Sequence, residues 1–247
     1  MNTTTADPQE IEQFTRLAEK WWDVEGEFRP LHQLNPARLA YIRDHVAGHF
    51  GRDPLAEGPL RRLKLIDIGC GGGLLTEPMR RLGADVTGID AGAETIEAAR
   101  RHAEMVGLDI AYHHILPEDM GRERKRYDVV LNMEVVEHVA DRALFLETAA
   151  KLVKPGGVMI VSTINRTLKS LALAKIGAEF ILRWVPAGTH DWRKFVRPSE
   201  LANELLPHGM DVRDMKGLNY NPVDASWRQS RDLGVNYMIF CTKPAAS

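Results

Sequence analysis

The sequence has few cysteines, no long apolar run and almost no net charge. Two cysteines occur in 247 residues, Cys70 and Cys241. A disulfide framework or a cysteine-based zinc site needs more of them, so neither is predicted, and the composition is typical of a reducing, cytoplasmic location. A membrane-spanning helix requires about 20 apolar residues in a row. Charged side chains interrupt the richest apolar stretch, residues 168–185, so any membrane contact is expected to be peripheral.

The charges nearly balance, with 32 Lys and Arg against 34 Asp and Glu and a formal net charge of −2. A protein that binds nucleic acid electrostatically usually carries a clear positive excess, so no nucleic-acid partner is predicted. Residues 1–12 are polar and acidic and lack the apolar core of a secretory signal. An apolar fraction of 44% excludes global disorder, and the length fits one large α/β domain or two small ones.

Apolar periodicity divides the chain into a helical beginning and an alternating remainder. Helical spacing predicts helices within residues 1–50, the second starting with Asn35 as N-cap and Pro36 at its first position. From residue 63, short apolar runs alternate with helical segments, which is typical of parallel strands with right-handed crossovers. Turns are predicted at residues 154–157 (K-P-G-G) and within 219–234. The predicted strands are 63–68, 86–90, 110–114, 127–133, 158–163, 211–218 and 235–242, and the predicted helices are 74–82, 94–106, 141–153 and 198–206.

A glycine-rich loop follows the first predicted strand. Residues 67–73 read D-I-G-C-G-G-G, and the next predicted strand ends in Asp90, 23 residues after Asp67. Glycines let the main chain turn sharply and let a ligand approach it closely, and an acidic residue at the second strand end can accept both hydroxyls of a ribose. The G-x-G-x-x-G pattern of nicotinamide-binding folds fails because its sixth position is Leu74. The pattern found resembles motif I of class I methyltransferases that bind S-adenosylmethionine.

A second group of candidate site residues follows the fourth predicted strand. Residues 133–138 read M-E-V-V-E-H and place Glu134, Glu137 and His138 at positions that would share one face of a helix. Two carboxylates and an imidazole can bind a divalent cation. Alternatively, His138 alone can act as a base near neutral pH. A third interpretation is that residues 137 and 138 only cap a loop or position the cofactor, and the residues alone leave the three open.

Further motifs extend the resemblance over residues 14–242. Together they are similar to the bacterial ubiquinone-biosynthesis O-methyltransferases, a family that uses S-adenosylmethionine to methylate ring hydroxyls of 2-polyprenyl-6-hydroxyphenol and 3-demethylubiquinol. The motifs occur in the order 35–39 (N-P-A-R-L), 133–138 (M-E-V-V-E-H), 162–167 (S-T-I-N-R-T), 177–179 (G-A-E), 188–191 (G-T-H-D, with Lys194 and Phe195 shortly after) and 235–238 (V-N-Y-M).

The resemblance implies roles for individual positions. Glu137 and His138 would be catalytic, and Glu134, Glu137 and His138 match positions assigned to Mg²⁺ in some members. The positions expected to bind S-adenosylmethionine are Arg38 (its carboxylate), Asp67 and Gly69 (its methionine portion), Gly71 (the glycine loop), Asp90 (the ribose), and Asp119 and Met133 (the adenine).

The resemblance also implies an α/β, class I methyltransferase Rossmann-like fold, with a seven-stranded, mostly parallel sheet whose last strand is antiparallel. One domain is expected, with a helical cap at 1–50, a cofactor-binding core at 63–164, an insert or lid at 165–195 and the rest of the sheet at 196–247. In residues 167–185, large apolar side chains alternate with lysine and arginine. This pattern predicts an amphipathic segment that lies on anionic membrane lipid, covers the substrate, or does both.

The expected function is therefore O-methylation of a polyprenylated catechol or quinol by a cytoplasmic enzyme peripherally associated with the inner membrane. The resemblance is also compatible with association with other enzymes of ubiquinone biosynthesis. Two alternatives stay open on sequence grounds. One is another small-molecule or C-methyltransferase of the same fold, and the other is a non-catalytic subunit that binds the cofactor or a quinone.

Overall fold

The computed structural model describes residues 4–122, 125–172, 191–221, 224 and 226–245. Its helices are α1 (Pro8–Thr15), α2 (Arg29–His49), α3 (Thr76–Arg81), α4 (Ala93–Met105), α5 (Pro117–Arg122), α6 (Arg142–Leu152), α7 (Leu168–Leu171) and α8 (Pro198–Leu205). Its strands are β1 (Lys64–Ile68), β2 (Asp85–Asp90), β3 (Ala111–His114), β4 (Tyr127–Met133), β5 (Val153–Ile164), β6 (Asp211–Asn221), β7 (Ser226–Ser230) and β8 (Asn236–Thr242).

The described strands form one sheet in the order β3-β2-β1-β4-β5-β8-β6-β7. Strands β1 to β5 run parallel, and β8 is antiparallel to both β5 and β6. The register pairs Ile68 with Ile89 on one side and with Asn132 on the other. The carboxyl ends of β1, β2 and β4 therefore meet at one edge, beside the point where the strand order reverses, which is where such sheets bind ligands.

The fold class agrees with the prediction, but the described part of the sheet has eight strands instead of seven. The additional strand, β7, pairs with β6 as a hairpin at the edge of the sheet. It lies in the segment 219–234, for which turn residues predicted no strand. Residues 154–157 also differ from the predicted turn, because they lie inside β5, where Gly156 has a φ of +76° and the pairing with β4 is irregular. Turn-forming residues favour a bulge and a turn equally, so the sequence could not separate the two.

Apolar side chains cover both faces of the central strands. Val129 and Val130 of β4 point to opposite faces, and both are fully buried. On one face Val130 belongs to the cluster that contains Phe145 of α6, and on the other Val129 belongs to the cluster that contains Ile42 of α2. Burying such a side chain stabilises the fold by about 1.5–3 kcal/mol, and burial on both faces explains the continuous apolar run at residues 127–133.

Helix α2 packs on one face of the sheet, and it begins earlier than predicted. Helix α2 starts at Arg29, with Pro30 in its first turn, and Pro36 lies inside it. Asn35 is therefore not an N-cap, and its side-chain amide donates to the carbonyl of Leu74 at 2.9 Å. Proline favours the first turn of a helix, and Pro30 occupies that position. The prediction assigned the position to Pro36 and therefore began the helix too late.

The predicted amphipathic segment falls mainly on residues 173–190, which lie outside the described residues. Its described start is α7, which begins after a capping box at Thr167. Leu168 is 78% exposed, and Lys169 forms an ion pair with Asp232. No helix in the described part of the chain combines the length and apolar character needed to cross a membrane.

Candidate active site

A cavity of about 810 Å³ lies at the carboxyl edge where β1, β2 and β4 end. Its floor contains the glycine-rich loop, its roof comes from residues 5–31, and one wall comes from the β6–β7 hairpin. Most of the lining is apolar, yet seven acidic residues, two basic ones and His138 also line the space. The acidic residues are Asp7, Glu10, Glu27, Asp67, Asp90, Glu134 and Glu137, and the basic ones are Arg38 and Lys169. The excess of negative charge favours a cationic ligand.

The glycine loop needs its glycines for two physical reasons. Gly69 and Gly71 have φ values of +70° and +55°, which side chains adopt only with strain. A Cβ on Gly69 would lie 2.5 Å from Val135, and a Cβ on Gly71 would lie 2.4 Å from the indole of Trp21. The loop is thus held in a left-handed conformation with side chains packed directly against its backbone.

Aromatic residues of the N-terminal segment hold this loop from above. Trp21 is buried and stacks on Phe28 with 3.8 Å between ring centroids. Trp22 donates from Nε1 to the carbonyl of Gly72 at 2.9 Å, and its ring stacks on His102 at 3.5 Å.

Asp90 and Asp67 occupy the two strand ends as predicted. Both oxygens of Asp90 accept backbone hydrogen bonds, Oδ2 from Gly71 at 3.0 Å and Oδ1 from Gly92 at 2.8 Å. Asp67 is buried and accepts from Thr76 Oγ1 at 2.8 Å. Burial raises the pKa of Asp90, and it raises the pKa of Asp67 to about 7 against the hydrogen bond from Thr76. The two carboxylates also repel each other, so a nearby positive charge would stabilise both.

Arg38 is a buried cation with unused donors. Its side chain is 3% exposed, and Nη2 lies 2.8 Å from Glu134 Oε1. Its Nε atom has no hydrogen-bond partner within the described residues, and Nη2 lacks one of good geometry. Leaving such a donor unpaired costs about 1–3 kcal/mol, so the side chain is suited to an anionic group that enters the cavity.

The segment after β4 is a turn. The prediction that Glu134, Glu137 and His138 share one face required a helix there. Glu134 has a φ of +57°, unusual for a residue with a side chain, and its carboxylate accepts from Ser162 Oγ at 2.7 Å. Glu137 is buried and accepts from Thr163 Oγ1 at 2.7 Å. Burial, followed by the charge of Glu134, raises the pKa of Glu137 to about 7.

His138 is paired with a residue that the sequence analysis missed. Its Nδ1 lies 3.0 Å from Glu10 Oε2, and Lys194 Nζ lies 2.7 Å from Glu10 Oε1. The hydrogen bond from His138 lowers the pKa of Glu10 to about 2, against the effect of burial. Burial alone would lower the pKa of His138, but Glu10 and the charge of Glu137 outweigh it, so the net shift is upward. Glu10 is 128 positions away in sequence, and no local signal connects the two.

The predicted magnesium ligands do not converge in this arrangement. Glu134 faces Arg38 and Ser162, Glu137 accepts from Thr163, and His138 pairs with Glu10. Across the residues that the structure describes, no three histidine, cysteine or acidic side chains are placed to hold a metal ion. The donor set therefore does not fit the predicted site.

The two residues expected near the adenine differ in position. Met133 is buried at the end of β4 and lines the cavity. Asp119 does not line it, because its carboxylate pairs with Arg122 at 2.5 Å on the surface of α5. Leu116 and Pro117 line the cavity at this point instead. The sequence position of Asp119, shortly after the third strand, therefore did not indicate a place in the cavity lining.

The fold and the sequence both match known methyltransferases. A family model described as a methyltransferase domain matches residues 35–214. Magnesium protoporphyrin IX methyltransferase from Synechocystis PCC 6803, solved with bound SAH, aligns at 18% identity and a TM-score of 0.62, with 95% of this chain and 93% of that chain covered. A possible histamine N-methyltransferase from Thermotoga maritima aligns at 17% identity and a TM-score of 0.60, covering 95% and 98%. These structures support the class I fold.

Curated relatives are much more similar in sequence. A ubiquinone biosynthesis O-methyltransferase from Chelativorans sp. (strain BNC1) is 55% identical over 243 residues, covering 98% of this chain and 96% of the relative. One from Sinorhizobium medicae (strain WSM419) is 53% identical over 241 residues, covering 98% and 97%. The chain belongs to the ubiquinone biosynthesis O-methyltransferases, as its motifs predicted.

Proposed function

We propose that the protein transfers the methyl group of S-adenosylmethionine to ring hydroxyls of 2-polyprenyl-6-hydroxyphenol and 3-demethylubiquinol. The observation that carries this proposal is one cavity in which Arg38 and Asp90 lie with His138 under an apolar roof. The family supports the acceptor, since its curated relatives are O-methyltransferases of ubiquinone biosynthesis. The protein would act as one domain, built from the segments 1–50, 63–164, 165–195 and 196–247.

The cofactor would be held by groups with complementary chemistry. Arg38 offers an unpaired buried Nε–H to the carboxylate, and Asp90 offers two acceptor oxygens to the ribose hydroxyls. Gly69 and Gly71 allow close approach along the loop, Asp67 lies at the methionine portion, and Met133 suits soft contact with the adenine ring. S-adenosylmethionine supplies an already activated methyl group on a sulfonium, whose positive charge suits the acidic cavity.

The remaining chemical task is to remove the phenolic proton. A phenol of pKa about 10 is mostly protonated at pH 7, and forming phenolate costs roughly 4 kcal/mol at 1.36 kcal/mol per unit. His138 would take this proton at Nε2 while Nδ1–H donates to Glu10, which orients the ring and stabilises the imidazolium. Lys194 would keep Glu10 ionised and in place. Glu137, with a pKa of about 7, lies near enough to modulate His138 electrostatically.

This mechanism has no step through a metal ion, because the expected ligands bind other protein groups. The protein's other contributions are alignment and exclusion of water. The N-terminal segment covers the cavity, and three hydrogen bonds of Thr5 hold it to the rest of the fold. The backbone N–H and the hydroxyl of Thr5 donate to the two carboxylate oxygens of Glu118 at 2.8 Å each, and its carbonyl accepts from Ala140 N at 3.0 Å.

Peripheral membrane binding is the second part of the proposal. A polyprenyl tail is nearly insoluble in water, so the enzyme would meet its substrate at a lipid surface. Residues 167–185 combine leucine, isoleucine, phenylalanine and tryptophan with lysine and arginine, a composition that favours an anionic interface. Flotation of the pure protein with anionic liposomes tests this. We expect binding that weakens with salt, and the absence of binding would exclude lipid as the partner of this segment.

Methyl transfer by the purified protein tests the catalytic proposal. The assay supplies labelled S-adenosylmethionine with either a short-chain prenylated catechol or a demethylated naphthoquinol. We expect label in the catechol ether alone. Label on a ring carbon of the naphthoquinol would indicate a C-methyltransferase, and cofactor binding without product from either acceptor would indicate a binding subunit.

A further inference from the structure

A second unpaired polar group lies beside Arg38 on helix α2. Asn35 is 8% exposed and lines the same cavity. Its amide Nδ2 donates to the carbonyl of Leu74 at 2.9 Å, which fixes the orientation of the side chain. Its Oδ1 atom is buried and has no partner among the described residues. A buried acceptor without a donor costs about 1–3 kcal/mol, so the position is unfavourable unless a ligand supplies the donor.

Asn35 and Arg38 are three positions apart on the helix, so they lie on one face. Both residues line the cavity, and among the described residues a buried amide oxygen of Asn35 and buried guanidinium nitrogens of Arg38 have no hydrogen-bond partner. Asp67, whose carboxylate is influenced by the charge of Arg38, lies across from them at the end of β1. The pair is therefore located at the end of the cavity proposed for the methionine portion of the cofactor.

The chemistry of the pair matches an α-amino acid. An amino acid zwitterion carries a carboxylate, which requires donors, and an ammonium group, which requires acceptors, separated by one carbon atom. A neutral amide oxygen can accept from the ammonium without adding a further negative charge to a cavity that seven acidic residues already line. A hydrogen bond to a charged group contributes more than a neutral one, about 1.5–3 kcal/mol.

We infer that Asn35 Oδ1 accepts a hydrogen bond from the α-ammonium group of the cofactor while Arg38 binds its α-carboxylate, so that α2 recognises the zwitterion as a unit. This inference rests on the proposed function, because it assigns part of that cofactor's site. Trp21 and Leu74 pack together in one apolar cluster, and the carbonyl of Leu74 accepts from Asn35 Nδ2.

The test compares two ligands that share the adenosine part. S-adenosylhomocysteine has the zwitterion, and 5′-methylthioadenosine lacks it. Titration calorimetry measures the Kd of each with the wild-type chain, with Asn35→Leu and with Gln33→Leu. Gln33, also on α2, is a matched control. Its Oε1 is buried and has no partner in the described part of the chain, but the residue does not line the cavity.

We expect Asn35→Leu to weaken S-adenosylhomocysteine binding roughly ten- to a hundredfold while the Kd of 5′-methylthioadenosine changes less than twofold. Gln33→Leu should leave the ratio of the two constants unchanged. Equal weakening of both ligands by Asn35→Leu would overturn the inference in favour of a structural role through Leu74, and so would no change in either.

One further measurement needs no variant. The wild-type chain is titrated with the deaminated analogue of S-adenosylhomocysteine, which keeps the carboxylate and lacks the ammonium group. We expect it to bind at least tenfold more weakly than S-adenosylhomocysteine, and equal affinity would overturn the inference even if Asn35→Leu did not fold. Failure of the wild type to bind S-adenosylhomocysteine at all would instead reject the proposed function.

Discussion

Asp90→Asn tests whether the carboxylate at the end of β2 binds the ribose hydroxyls of the cofactor. The change is nearly isosteric, but it replaces a carboxylate with one acceptor and one donor. In the structure both oxygens face backbone N–H groups, Gly71 at 3.0 Å and Gly92 at 2.8 Å. The new amide NH₂ must therefore face one of these N–H groups, and one loop hydrogen bond is lost.

The expected magnitude follows from the two ribose hydroxyls. A hydrogen bond to a charged acceptor is worth about 1.5–3 kcal/mol and a neutral one about 0.5–1.5 kcal/mol, so each hydroxyl loses about 1 kcal/mol. Two hydroxyls give about 2 kcal/mol, or roughly a 30-fold rise in Kd. Both S-adenosylhomocysteine and 5′-methylthioadenosine should be affected, because both contain the ribose.

The assay is titration calorimetry with both ligands, and Asp85→Asn is the control. Asp85 begins the same strand, is exposed and lies at the opposite edge of the sheet. We expect Asp85→Asn to bind both ligands as the wild type does. An Asp90→Asn chain that stays folded and binds with unchanged affinity would refute the ribose assignment. Weaker binding of S-adenosylhomocysteine alone would refute it as well.

Three other predictions concern the base, the metal and the loop. Because a base must be deprotonated and Glu10 contributes to the raised pKa of His138, Glu10→Gln should move the acid limb of the kcat/KM profile to lower pH. Glu12→Gln, exposed on the same helix, should leave the profile unchanged, and an unmoved limb in Glu10→Gln would contradict the pairing. Because the expected metal ligands do not converge, a chelator should change the rate of methyl transfer less than twofold; a loss restored by Mg²⁺ would contradict this. Gly71→Ala should lower the free energy of unfolding, measured in urea, by about 1–3 kcal/mol more than Gly51→Ala. Both have positive φ, but only Gly71 would place its Cβ against Trp21, and equal losses would count against that contact.

The central architecture could be predicted because its signals are local. Strand β4 begins and ends as predicted, at residues 127 and 133, since burial on both faces requires a continuous apolar run. The glycine loop and Asp90 were also identified from sequence. Both could be identified because a few neighbouring residues determine the conformation of the loop and the ends of β1 and β2.

The features that were missed depend on contacts between distant parts of the chain. Glu10 and Lys194 meet beside His138 only because α1 folds across the cavity. Strand β7 forms because β6 offers an edge to pair with, although turn-forming residues flank it on both sides. The prediction that Glu134, Glu137 and His138 share one helical face was wrong, because the chain turns sharply after β4, with Glu134 in a left-handed conformation. Such tertiary effects override local propensity.

The most direct test of O-methylation with His138 as the base is the rate and site of methyl transfer from methyl-¹³C-labelled S-adenosylmethionine to a short-chain prenylated catechol. We expect the label on a ring oxygen. We also expect His138→Ala to reduce kcat about 10²–10⁴-fold, the usual contribution of a general base, while the Kd of S-adenosylhomocysteine stays within a factor of two. Label on a ring carbon, or full turnover by His138→Ala, would contradict this mechanism.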